Sequence, residues 1–80
     1  MNNYDYPKYS VLMSVYYKEK PEWLEYSINS MLKQTIFPNE FVLVEDGPLT
    51  KELNEVIEKF KNKYQAKIIP KTTFLKIFKF

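Results

Sequence analysis

FVLVEDGPLT, Phe41–Thr50, decides how this chain folds. An apolar run ends on two adjacent carboxylates, Glu45 and Asp46, and then on Gly47 and Pro48. Asp-Gly favours tight turns and could close a hairpin onto a partner strand. No such strand follows. Leu49, Leu53, Val56, Ile57, Phe60 and Tyr64 instead recur at helical spacing through KELNEVIEKFKNKY, with charges on the opposite face. Thr50 is the expected helix N-cap. The acidic corner therefore joins a strand to a helix. It falls at the C-terminal edge of the sheet, where open α/β sheets bind small molecules.

Upstream, YSVLMSVY (residues 9–16) reads as a nearly continuous apolar strand, and that continuity predicts burial on both faces, as in a parallel sheet. KEKP breaks the run. Pro21 suits the first turn of a helix, and Glu22 and Glu25 suit its positive N-terminal end. Leu24, Ile28, Met31 and Leu32 then form one apolar stripe, with Trp23 and Tyr26 beside it, expected to cover the sheet edge. Pro38 and Asn39 form a turn before the second strand, Glu40–Glu45. A third strand is predicted at about Ala66–Ile69, ended by Pro70. The order β-α-β-α-β predicts an α/β fold: an open parallel sheet with right-handed crossovers.

Eighty residues make one small domain or a piece of a larger one. Such a chain buries only about 60–65% of its unfolded surface, so its stability is marginal. Seven Tyr, six Phe and one Trp exclude a disordered chain of low hydrophobicity. The absence of Cys and His excludes disulfides and a Cys/His zinc site, and suits a cytoplasmic location. No signal peptide or membrane-spanning run is visible. A net charge of +2 is too small to imply nucleic-acid binding. The chain has no acidic residue after Glu58, while Lys59, Lys61, Lys63, Lys67, Lys71, Lys76 and Lys79 follow it. Solvated charge is the first reading of this tail, and contact with phosphate or a membrane the second.

Two loops converge at one end of the predicted sheet, SVYYKEKP and VEDGPLT. A rim carboxylate can accept the imide N–H of uracil or thymine, and a tyrosine beside it offers a flat stacking face. Asp46 and Tyr16 supply these parts, and Ser14 adds a hydroxyl. Taken singly, Asp46 reads first as a turn or helix-cap carboxylate and Tyr16 as a partly buried strand aromatic; taken together at adjacent loop ends, the ligand reading stands level with these.

The blocks YSVLMSVYYKEKPEWLEYSINSMLKQT and FVLVEDGPLT resemble the start of family 2 glycosyltransferases, the inverting GT-A type enzymes. Ser27-Ile28-Asn29-Ser30-Met31-Leu32-Lys33-Gln34-Thr35 fits that family's helix pattern, and Glu45-Asp46-Gly47-Pro48 fits its acidic corner. The match covers about residues 9–69 and is nearest to transferases that assemble bacterial surface polysaccharides. The resemblance implies that Asp46 meets the base imide of a UDP- or dTDP-sugar. It places Tyr16 against the base, with Ser14 and Glu19 lining the same pocket. Tyr17 stands where the family often has Asn.

The resemblance also implies Mg²⁺ or Mn²⁺ on an Asp-x-Asp motif, and a general base beyond it, but this chain contains neither. Catalytic and metal-ligating residues are therefore expected outside it. The expected layout is an extension (1–8), a partial nucleotide-sugar-binding domain (9–70) and an atypical Lys/Phe tail (71–80). KTTFLKIFKF departs from the family pattern, so a truncated or frameshifted transferase with a foreign tail is the leading expectation. The alternatives are a tail that closes the core as an extra strand or short helix, and one that touches the inner face of a membrane. A stand-alone interaction module and a non-functional gene remnant remain competing readings of the whole chain.

Overall fold

The computed structural model describes residues 8–34 and 36–80. All but Lys8 of the expected N-terminal extension lies outside the described residues, as does Thr35 of the helix block. The elements run β1 (Ser10–Val15), α1 (Pro21–Leu32), β2 (Glu40–Glu45), α2 (Lys51–Gln65) and β3 (Phe74–Lys79). They form one three-stranded sheet of order β1-β2-β3 with both pairings parallel. The predicted α/β class and open parallel sheet are thus observed, and they are consistent with the N-terminal half of a GT-A domain.

Strands added successively in one direction by right-handed crossovers put both helices on the same face of the sheet. That face holds the core. Phe41 and Leu43 at the sheet centre are buried with Leu24, Ile28 and Met31 of α1 and Leu53, Val56, Ile57 and Phe60 of α2. The Phe41 and Phe60 rings meet at 4.8 Å between centroids, tilted by 59°. Both predicted helical stripes are therefore the buried ones, with Leu32, Leu49 and Tyr64 packed at their margins. The helices are also joined directly, by Lys63 Nζ donating to Asn29 Oδ1 at 2.7 Å and by the Lys59–Glu25 ion pair at 3.6 Å.

Two expectations are corrected. Burial of the first strand on both faces does not occur, because its residues alternate between exposed and covered and Leu12 is 73% exposed. One-directional strand order leaves the other sheet face without a helix among the described residues. The third strand does not form at Ala66–Ile69. Those residues close α2: Ile68 N–H donates to the Lys63 carbonyl at 3.1 Å and Lys67 N–H to the Tyr64 carbonyl at 3.2 Å, with Lys67 at φ 66°. This is a left-handed helix stop made without glycine. Ile69 then plugs the core.

The strand forms instead at Phe74–Lys79, within the stretch expected to be foreign to the fold. The buried Thr73 hydroxyl donates to the Pro38 carbonyl at 2.9 Å, tying the start of β3 beside that of β2. Leu75 and Ile77 face the core, opposite Phe41 and Leu43. Extra-strand closure is thus the arrangement this tail adopts.

Candidate functional site

β2 stops where the chain leaves the sheet. Asp46 N–H donates across to the Val15 carbonyl at 2.8 Å, while Phe80 N–H and Gly47 N–H donate to the Glu45 carbonyl at 3.0 and 3.1 Å. The acidic corner is thereby held from both neighbouring strands, and its β3 side is the Lys/Phe tail. Gly47 has φ +85°, with open space where a Cβ would stand, so backbone conformation rather than crowding calls for glycine. Thr50 then caps α2 as predicted, its Oγ1 accepting from Leu53 N–H at 3.2 Å.

The two carboxylates separate completely. Glu45, the last residue of β2, alternates onto the helix-covered face and is 5% exposed, while Asp46 stands exposed on the rim. Buried carboxylates are rare because desolvation penalises the charge. Glu45 ends the strand as the sequence predicts, and the alternation that buries Phe41 and Leu43 carries it inside as well.

Across from this corner, β1 ends at Val15, which pairs with Glu45, so Tyr16 follows level with Asp46. Tyr16 is half-exposed and meets Tyr17 edge to face, with ring centroids 6.1 Å apart. Glu19 N–H donates to the Tyr16 carbonyl at 3.0 Å, folding the loop back over the strand end. Ser14 and Glu19 border a shallow cleft of about 130 Å³ with Met13, Trp23, Leu24 and Ser27. Tyr16 and Asp46 lie outside that cleft. All four residues therefore share the C-terminal end of the sheet, two on the open rim and two at the cleft beside β1. This is an uncovered platform, well short of the 300 Å³ or so that encloses a small ligand.

Trp23 and Tyr26, expected to cover the sheet edge, remain 60% and 66% exposed and meet edge to face at 6.2 Å. No group of three or more Asp, Glu, His or Cys able to hold a metal ion occurs among the described residues. These residues therefore do not fit the expected Mg²⁺ or Mn²⁺. No helix among them is long and apolar enough to cross a membrane.

The parallel sheet brings its acidic corner and aromatic loop to one strand end, the edge at which open α/β sheets bind small molecules. Residues 10–74 match the glycosyl transferase family 2 model, a span that holds Ser14, Tyr16, Glu19 and Asp46. The chain belongs to glycosyl transferase family 2.

Among curated proteins it is 42% identical over 57 residues to the UDP-Gal:alpha-D-GlcNAc-diphosphoundecaprenol beta-1,3-galactosyltransferase of Escherichia coli, covering 71% of this chain and 21% of that one. It is 44% identical over 62 residues to the amylovoran biosynthesis glycosyltransferase AmsE of Erwinia amylovora, covering 78% of this chain and 23% of that one. An uncharacterized glycosyltransferase of Haemophilus influenzae is 42% identical over the same length and the same shares. The chain thus spans between a fifth and a quarter of the length of these relatives.

Proposed function

We propose that this chain is the donor-nucleotide-binding portion of an inverting glycosyltransferase that builds a bacterial surface polysaccharide from a UDP- or dTDP-sugar. The observation that carries the proposal is the juxtaposition of Asp46 with Tyr16, held by the hydrogen bond from Asp46 N–H to the Val15 carbonyl. In this reading the Asp46 carboxylate accepts the base imide N–H, Tyr16 packs against the ring, and Ser14 and Glu19 approach the nucleotide from the β1 side. The Escherichia coli relative is named for UDP-Gal and the Erwinia amylovora relative for amylovoran biosynthesis, which supports the substrate class.

Sugar transfer is assigned to a longer polypeptide of which these residues are the N-terminal part, and the 80-residue chain binds nucleotide weakly without turning it over. The site faces the cytoplasm. Exposed Phe74, Phe78 and Phe80, with Lys76 and Lys79 among them, support peripheral contact with the inner face of the membrane. Calorimetric titration of UDP and dTDP into wild type and Asp46→Ala tests the nucleotide reading. Binding by wild type that is lost in the variant supports it, and equal binding by both proteins removes Asp46 from the site.

A further inference from the structure

We propose that Asp46–Gly47 is a self-modification site: the Asp46 carboxyl closes on the main-chain nitrogen of Gly47, and the corner passes through a succinimide to an isoaspartyl linkage.

The step needs a carboxyl, the amide nitrogen of the next residue, and room for the two to meet. Gly47 is the single glycine of the chain, so no other Asp or Asn is followed by one. A side chain at the second position would crowd the attack, and glycine carries none. The space where a Cβ of Gly47 would stand is empty out to 4 Å. Asp46 is exposed on the rim, and its carboxylate makes no hydrogen bond or ion pair among the described residues.

The nitrogen is loosely held. Its N–H donates at 3.1 Å to the Glu45 carbonyl two residues back, closing a three-residue turn, and that carbonyl also accepts the Phe80 N–H at 3.0 Å. Residues 46–50 lie between β2 and α2, so neither a sheet ladder nor a helix fixes this amide. Asn29, Asn54 and Asn62, by contrast, lie within helices, where the following amide is locked in the helical bonding. Every atom the step uses belongs to residues 46 and 47, and a corner open to a nucleotide base is open to water.

The atoms balance without a cofactor. The Gly47 nitrogen attacks the γ-carbon of the protonated Asp46 carboxyl. The N–Cγ bond forms, the Cγ–O bond breaks, and one water leaves with the carboxyl hydroxyl and the amide proton. The ring then takes up water. Opening at the γ-carbonyl restores Asp46. Opening at the main-chain carbonyl leaves the chain running through Cβ and Cγ, with a free carboxylate directly on Cα. The main chain is then one carbon longer and the acid one carbon closer to it, so the carboxylate leaves the place that Asp46 holds on the rim. The modification does not depend on nucleotide binding, but its effect on binding rests on the function proposed above.

The test is timed incubation of the full chain at neutral pH and physiological temperature, followed by tryptic mapping of the peptide Gln34–Lys51. Isoaspartyl groups are counted by methyl transfer from S-adenosylmethionine with an isoaspartyl methyltransferase. The expected result is a form of this peptide with unchanged mass and altered retention, preceded by one lighter by a water. It takes up methyl label and grows until it outweighs the parent peptide. Asp46→Glu, an exposed change that forms no five-membered ring, should take up no label in this peptide. UDP binding, measured calorimetrically on the same samples, should fall in proportion to the isoaspartyl fraction, and saturating UDP should slow conversion severalfold. A folded chain that leaves Gln34–Lys51 unaltered while the urea-unfolded chain converts overturns the proposal and leaves the nucleotide reading standing, as does equal labelling of Asp46→Glu. Conversion with UDP binding unchanged upholds the modification and removes Asp46 from the nucleotide site.

Discussion

Replacing Thr73 by valine removes one oxygen and almost no volume, so its effect isolates a single hydrogen bond. Thr73 is 2% exposed and its hydroxyl donates to the carbonyl of Pro38, itself fully buried. In Thr73→Val that carbonyl loses its side-chain donor in a site closed to water. An unsatisfied buried acceptor costs about 1–3 kcal/mol, partly offset by the extra apolar group, and we expect a net loss of about 1–2 kcal/mol. A domain of this length has roughly 4–12 kcal/mol in all. The loss corresponds to a fall in Tm of about 5–15 °C. Urea and thermal melts followed by circular dichroism measure it, with exposed Thr72→Val as the control, expected to change stability by less than about 0.5 kcal/mol. If the two variants melt alike, Thr73 is not buried against Pro38, and β3 is not docked beside β2 as described.

Other perturbations probe other parts of the structure. Gly47→Ala meets no neighbouring atom but must hold φ near +85°, so it should cost about 1–2 kcal/mol by denaturant melt, with Gly47→Asn recovering part of it. An unchanged midpoint in Gly47→Ala would refute the left-handed corner. Phe60→Ala empties the centre of the core against Phe41 and should cost about 3–5 kcal/mol, enough to leave much of the chain unfolded at room temperature.

On the open sheet face Lys76 bonds Glu40 at 2.7 Å, and chiefly this bond, aided by Ser10, holds the Glu40 carboxyl below its ordinary pKa against the opposing effect of desolvation. A depressed folded pKa means stabilisation present at neutral pH and lost as pH falls through that pKa. Lys76→Met should therefore move Glu40 back up in a carbon-detected NMR titration, and the stability difference between the two proteins should vanish in acid. A Glu40 titration unaffected by the substitution would show that the pair is not formed.

The corner and both helices were legible because each rests on a local signal: Thr50 before a charged first turn, Pro21 before a stripe, and buried positions repeating every three or four residues. Placement of β3 was not legible. Lys67 adopts the left-handed helix stop without the glycine that normally announces one, so Ala66–Ile69 resembled a strand. Phe74–Lys79 alternates apolar residues with lysine, a pattern shared by tails and edge strands alike. The continuous apolar run of β1 suggested two covered faces, whereas coverage depends on which way successive crossovers add strands. At the site, the loop motifs located Tyr16 and Asp46, and the register Val15–Glu45 brings them level. The inward turn of Glu45 follows from the predicted strand Glu40–Glu45 by alternation with Phe41 and Leu43, a consequence that the turn-forming Asp-Gly beside it obscures.

The claim that Asp46 reads a base imide is tested most directly by base preference. Uracil offers an N–H at the imide position, and cytosine offers only an acceptor there. A charge-assisted hydrogen bond of about 1.5–3 kcal/mol then favours UDP over CDP by roughly tenfold or more in the wild type. Asp46→Asn, which can donate to cytosine, should lose or reverse that preference in calorimetric titrations of both nucleotides. A preference for UDP that survives Asp46→Asn unchanged, or no preference in the wild type, contradicts the account.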